Sequence, residues 1–436
     1  MGTSRANLVG WILGVGLIGG LPALATAQTP EQWVRGELAS LVELYRHFHA
    51  HPELSFQEHQ TARRVAQELR AAGWEVTEGV GKTGVVGVLR NGPGRTVMWR
   101  CDLDALPVTE QTGLAYASKV TVPTELGQTG VMHACGHDIH ITNFIAAARY
   151  FARHKEQWQG TLLLVAQPAE ERVGGAQAML EDGLFTRFPR PDVALALHCD
   201  SQLATGKVGI RGGYALANVD SCDITLIGRG GHGAYPHTTI DPVVMGAQLV
   251  LALQTIVSRE IKPTDPAVIT VGSIHAGTKH NIISDQCHLQ LTIRSYRDEV
   301  RQQIREAIVR KAKAVAAGAG APEPKIVFSE GTPALFNDER FSSRLREVFQ
   351  RTFGQQNVDD PEPSMGAEDF SLYAKAGVPV VMFRLGTIDP QRLARMQQLG
   401  QEPPSLHSPL YYPDAEATLV TGLVATVAAI QEALRP

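Results

Sequence analysis

Thr96-Val97-Met98-Trp99-Arg100-Cys101-Asp102-Leu103-Asp104, residues 96–104, reads as a β-strand that runs straight into two carboxylates. The pattern recurs. Thr161-Leu162-Leu163-Leu164-Val165-Ala166 leads to Glu170 and Glu171, and Val193-Ala194-Leu195-Ala196-Leu197 ends at His198. Before and between these runs the apolar spacing is helical: residues 31–49, 58–72 with Gly73 as a terminating glycine, 139–151 entered from His137 and Asp138, and 174–181. Alternation of this kind predicts a mostly parallel α/β sheet with helices on both faces. In such sheets ligands bind at the carboxyl ends of the strands, so acids and histidines gathered there point to a metal site.

Near Gly212-Gly213 the rhythm changes. Residues 219–227 read as a strand, 242–259 as a long helix, 267–272 and 287–295 as two strands, 298–317 as a helix and 325–329 as a last strand. That order, β-α-β-β-α-β, is the ferredoxin-like split unit. The α/β pattern then resumes with a helix at 341–353, a strand at 380–384 and a final helix at 415–434. The expected architecture is therefore a discontinuous catalytic domain, residues 28–212 and 329–436, with a small α+β domain, residues 213–328, spliced through it. Two domains suit a chain of 436 residues.

Residues 1–27 are set aside as a signal sequence: Arg5 supplies the positive start, residues 8–21 are uncharged and largely apolar, and Ala25-Thr26-Ala27 fits the small-x-small cleavage rule. Export to a periplasmic or extracellular space, without stable membrane insertion, is the expectation, with a mature chain starting at Gln28. A net charge of −4 with no basic cluster argues against nucleic acid as a partner. Five cysteines make no disulfide framework. Metal ligation would occupy Cys135, and the other four read as buried fillers on strands.

The chemistry concentrates in His133-Ala134-Cys135-Gly136-His137-Asp138. A thiolate and an imidazole two residues apart can reach one cation from a single tight loop, with Gly136 letting the backbone bend. Candidate ligands are Cys135, His137, Glu171, His198 and His407. Thiolate, imidazole and carboxylate together suit Zn, Mn, Co or Ni, and five ligands exceed the need of one tetrahedral ion, so two divalent ions are expected. Neighbouring Glu170 and Glu171 can diverge in a turn, one to a metal and one to a metal-activated water as general base. Asp102 and Asp104 read either as groups that orient metal-bound histidines or as determinants of the fold.

The motifs Asp102-Leu103-Asp104-Ala105-Leu106-Pro107, His133 to Asp138, Gln167-Pro168-Ala169-Glu170-Glu171, Gly230-Gly231-His232-Gly233, Gly366-Ala367-Glu368-Asp369-Phe370 and Leu406-His407-Ser408-Pro409 resemble those of metallopeptidase family 20. The likeness is to its amidohydrolase branch, which hydrolyses N-acyl-amino acids, hippurate and auxin conjugates, and it spans the mature chain in order. It implies a di-metal peptidase-like catalytic domain and an inserted dimerisation (lid) domain. By the same resemblance, Cys135, His137, Glu171, His198 and His407 take the ligand positions and Glu170 that of the general base. His232 matches a histidine given to the partner subunit's active site, and Asn281 a substrate or oxyanion contact, although His280 beside it departs from the family's small residue. Arg294 could clamp a substrate carboxylate or serve a structural ion pair. The expectation is an exported homodimeric amidohydrolase. The alternatives are a carboxypeptidase or dipeptidase on short peptides and a non-catalytic acyl-amino-acid binding protein.

Overall fold

The computed structural model describes residues 1–4, 28–124 and 127–436. Most of the expected signal sequence, residues 5–27, lies outside the described residues.

The strand Thr96–Asp102 is buried along almost its whole length. It belongs to an eight-stranded sheet in the order Glu75–Val80, Gly84–Asn91, Gly160–Gln167, Thr96–Asp102, Val193–Ala204, Val380–Ile388, Val208–Gly209, Val358–Asp359. The four central strands pair in parallel. Their near-continuous apolar runs are what a sheet covered on both faces demands. Gly84–Asn91, however, is antiparallel to both its neighbours, so the sheet is mixed where a mostly parallel one was expected. The cause is local: only three residues, at 81–83, join Glu75–Val80 to Gly84–Asn91, enough for a hairpin and far too few for a parallel crossover. His198 also differs from expectation. The strand does not end before it but continues to Ala204, because Cys199 and Ser201 remain buried.

Helices Pro30–Ala50, His59–Ala71, His137–Arg153, Glu339–Phe353 and Ala415–Leu434 share one apolar core with the sheet, where Tyr45, Phe144, Phe349 and Leu423 join Leu164, Leu195 and Phe383. A second core joins Met179, Leu184 and Tyr373, from short helices, to Val86, Met98 and Leu163. Two described helical stretches, Pro242–Glu260 and Ala415–Leu434, are long and apolar enough to cross a membrane by length and composition. Ala415–Leu434 supplies much of the first core.

The inserted unit is a four-stranded antiparallel sheet, Ala267–Ala276, Gln286–Ser295, Asn218–Ile227, Lys325–Thr332 in spatial order. Helices Pro242–Thr255 and Asp298–Gly318 join it in a third core through Leu249, Leu253, Ile304 and Ile308, packed with Ile224, Leu289 and Ile293. The strand order matches the ferredoxin-like arrangement read from the sequence. Lys325–Thr332 runs past position 328, with a bulge between the pairings Asp220↔Gly331 and Ser221↔Ser329. That bulge interrupts the alternation that would have revealed the strand's full length. The chain enters and leaves the unit along two short paired strands, Gly213–Leu216 and Leu335–Asn337.

Candidate metal centre

Gly136 stands at the start of helix His137–Arg153 with φ +80°, a left-handed conformation that glycine adopts without strain. A β-carbon there would lie 2.9 Å from Cys199 Sγ and 3.1 Å from the Tyr411 hydroxyl. The turn it permits brings Cys135 and His137 to the same place.

His137 is oriented from behind: its Nδ1 lies 2.7 Å from the Asp104 carbonyl oxygen, to which it donates, which turns Nε2 inward. His198 donates from Nδ1 to the Cys199 carbonyl at 2.8 Å, leaving Nε2 3.7 Å from Cys135 Sγ. Such hydrogen bonds fix the tautomer that presents a lone pair to a cation. Glu171 Oε1 lies 3.8 Å from His137 Nε2 and 3.5 Å from His407 Nε2. His407 is held at φ +69°, a strained conformation for a histidine, of the kind that concentrates at functional sites. Single donor atoms of Cys135, His137 and His198 lie within 4.8 Å of one another, as do those of Cys135, Glu171 and His407, and those of His137, Glu170 and Glu171. All five expected ligands thus converge.

The electrostatics fit cations. His137 Nε2 and Glu171 Oε1 are buried and have no hydrogen-bond partner, a costly arrangement unless another group occupies the space between them. Burial disfavours a proton on His137, yet Asp102, Glu171 and Asp104 outweigh it and raise the pKa to about 10. Carboxylates that hold a proton so firmly would hold a metal ion in its place. Burial, reinforced by Glu171 and Glu170, pushes the Cys135 thiol well up, so the thiolate needs a cation beside it. His198 is driven well below the usual histidine range by burial and then by His140 and Arg384, which keeps it neutral and able to ligate.

Glu170 and Glu171 do diverge. Ala169 precedes them at φ +49°, its N–H donates to Glu58 at 2.8 Å, and the Glu171 N–H donates to Asp104 at 3.0 Å. Glu171 faces the ligands, whereas Glu170 also lies beside Glu368 and Asp369. Burial, then Glu368, Glu171 and Asp369, raise the proton affinity of Glu170 well above that of an ordinary carboxylate. The metal-centred residues open onto a cleft of about 460 Å³, which Arg294 and Arg384 also line.

Not every expected residue comes here. His232 and Asn281 lie on the inserted unit, exposed, where strand Gly231–His232 pairs with Ile282–Ile283. Neither lines the cleft of its own chain. His232 Nδ1 accepts from the Ala234 N–H at 3.0 Å, so Nε2 is the nitrogen left to act elsewhere. His280 is exposed as well. Arg294 does line the cleft, with no carboxylate in salt-bridge reach among the described residues; it donates to the Met365 carbonyl at 3.1 Å.

Asp102 and Asp104 stand differently toward the histidines. Asp104 orients His137 with its backbone carbonyl, its carboxylate being farther at 3.6 Å and bonded instead to Ser55 and the Glu171 N–H. Asp102 bonds His140 at 2.5 Å, and His140 in turn accepts the Cys199 N–H at 2.9 Å, so this imidazole braces the strand that carries His198.

Two buried charge clusters escaped the sequence reading. Arg100 reaches Asp102 at 2.9 Å, Gln167 at 3.0 Å and Glu368 at 2.8 Å, with Asp369 at 3.3 Å. It is the cation that lets three acids crowd behind the cleft. An arginine inside an apolar strand, two residues before an aspartate, was the available signal. Behind the ligand loop, His49 bridges Asp138 at 2.7 Å and Glu110 at 3.1 Å. Nothing in the local sequence links residues 49, 110 and 138.

Residues 98–397 match the model of peptidase family M20/M25/M40. The chain belongs to that family. A hippurate hydrolase from Campylobacter jejuni is 39% identical over 342 residues, 78% of this chain and 86% of that enzyme. Thermostable carboxypeptidase 1 from Saccharolobus solfataricus is 37% identical over 351 residues, 80% of this M20-family chain and 86% of its own length. Among solved structures, a dinuclear metal-binding M20 peptidase from Bacillus subtilis superposes with a TM-score of 0.73 at 30% identity, covering 91% of this chain and 98% of that one.

Proposed function

We propose that this M20-family protein is a metal-dependent amidohydrolase that cleaves the amide bond of N-acyl-amino acids, with Glu170 as general base. The observation that carries the reading is the convergence of buried Cys135 and His137 with half-buried Glu171, where His137 Nε2 and Glu171 Oε1 lack hydrogen-bond partners. Two divalent transition-metal ions (Zn, Mn, Co or Ni), held by Cys135, His137, Glu171, His198 and His407, would polarise the scissile carbonyl and acidify water. The dinuclear site of the Bacillus subtilis relative supports the count.

Glu170 takes a proton from water and returns it to the departing nitrogen; its high proton affinity equips it to carry that proton between the two steps. Arg294 stands in the same cleft with no carboxylate in salt-bridge reach among the described residues, suited to the substrate's α-carboxylate. The hippurate hydrolase relative favours an acyl-amino acid as substrate. The carboxypeptidase relative favours a second reading, cleavage of short peptides, with the same residues in the same roles.

The reading includes a C₂ homodimer. His232 and Asn281 stand exposed away from their own cleft. Helix Pro242–Thr255 exposes Val244 and Leu251, and edge strand Ala267–Ala276 exposes Ile274, whose side chain lies against the helix at Gly246. Exposed apolar surface along a strand edge is the kind that pairing covers, and a twin subunit would carry His232 to the other cleft. Export rests on residues 1–27, and N-terminal sequencing of the mature protein would find Gln28 first if it holds.

The test of the activity is a panel of N-acetyl- and N-benzoyl-amino acids and dipeptides, assayed with added metal and with chelator. Faster turnover of acyl-amino acids, abolished by chelation, is expected. A preference for dipeptides would move the assignment to the peptidase reading, and turnover insensitive to chelation would refute both.

A further inference from the structure

Arg384 lies on strand Val380–Ile388, paired in parallel register with His198 on one side and opposite Gly209 on the other. Two residues earlier on the same side of the strand, Met382 is packed in the core. Arg384 stands midway along that strand, which continues to Ile388, and it lines the metal-centred cleft. Gly209 makes room for it, since a β-carbon there would lie 3.2 Å from Arg384 Cβ.

Arg384 is half-buried and, among the described residues, has neither a hydrogen-bond acceptor nor a carboxylate in salt-bridge reach. The acids that line a second cavity with Arg384 are engaged elsewhere: Asp359 with Lys207 at 3.5 Å and Asp360 with Arg346 at 3.0 Å, while Asp200 accepts the Gln202 N–H at 2.8 Å. Glu170 and Glu171 in the same cleft belong to the metal-centred cluster. Arg294 is the second half-buried cation there, also without a carboxylate. A partly desolvated guanidinium is favourable only when an anion meets it.

We infer that Arg384 is a specificity-determining residue that receives a second carboxylate, so that the preferred substrates are N-acyl-amino acids carrying an anionic group in addition to the α-carboxylate. This rests on the amidohydrolase reading above. The second carboxylate sits either on the acyl chain or on the amino-acid side chain, and matched substrate pairs separate the two. N-succinyl-alanine is compared with N-succinamoyl-alanine, and N-acetylglutamate with N-acetylglutamine; within each pair only a carboxylate becomes an amide.

In one pair the acid should exceed its amide in kcat/KM by on the order of tenfold or more, as a charge-assisted hydrogen bond implies. Arg384→Gln should erase that ratio through KM of the acid, and Arg384→Lys should keep part of it, with metal content and melting temperature like those of the native protein. Hydrolysis of the amide members without an acid preference in either pair, or a preference that survives Arg384→Gln, overturns the assignment of Arg384 while leaving the amidohydrolase reading intact. Failure of the metal-loaded native protein to cleave any of the four overturns that reading as well. Should the variants fail to fold, the native ratios decide: values near one in both pairs overturn the inference.

Discussion

Replacing His49 by glutamine should remove a stabilising charge whose worth depends on pH. His49 is buried between Asp138 at 2.7 Å and Glu110 at 3.1 Å. Burial opposes its protonation, but the two carboxylates prevail and raise its pKa from 6.5 to about 9. The folded value exceeds the unfolded one, so the contribution is complete below pH 6.5 and is lost as pH rises through about 9. At roughly 1.4 kcal/mol for each tenfold change in proton affinity, that rise is worth about 3 kcal/mol. The assay is urea unfolding of the native and His49→Gln proteins, in the same metal state, at about pH 6 and about pH 10. The stability gap between them should be larger at the lower pH by about 3 kcal/mol. A gap of equal size at both pH values would refute the reasoning, because it would mean that folding does not raise the proton affinity of His49.

Further outcomes follow from the same geometry. Glu170→Gln should retain metal and fold but lose on the order of two to four decades of turnover, whereas Glu171→Gln should lose metal, as read by elemental analysis; the reverse pattern would exchange their roles. Arg100→Met leaves Asp102, Glu368 and Asp369 without their cation and should cost about 3–5 kcal/mol in chemical unfolding; a neutral result would show that these acids are already protonated. Mixing Glu170→Gln with His232→Ala subunits should partly restore activity if His232 serves a partner, since half the clefts in mixed dimers would then be intact. No recovery after verified subunit exchange would confine His232 to its own chain or to no catalytic role.

The sequence exposed what is local. Apolar runs of five or six residues gave the central strands, and the β-α-β-β-α-β order gave the inserted unit, because each depends on neighbours along the chain. The convergence of the candidate ligands was partly legible, because Cys135 and His137 are adjacent across one glycine and Glu171, His198 and His407 each follow a strand run or lie in a loop. What remained hidden depends on distance in the chain. The hairpin that makes the sheet mixed is set by a three-residue turn, and the extension of Lys325–Thr332 by a bulge. His49, Glu110 and Asp138 meet only after three segments fold together, and Arg100 finds Glu368 across 268 positions. That Asp104 meets His137 through its backbone carbonyl was also hidden, since a sequence displays side chains and conceals which carbonyl will face a ring.

The most direct measurement of the central claim is the metal content of the purified protein, taken together with its amide hydrolysis before and after chelation. The account predicts two divalent transition-metal ions per chain, loss of turnover when they are removed, recovery when Zn, Mn, Co or Ni is returned, and reduced occupancy in Cys135→Ala and Glu171→Gln. Full turnover by a protein shown to be free of metal, or metal content unaffected by both substitutions, would contradict it.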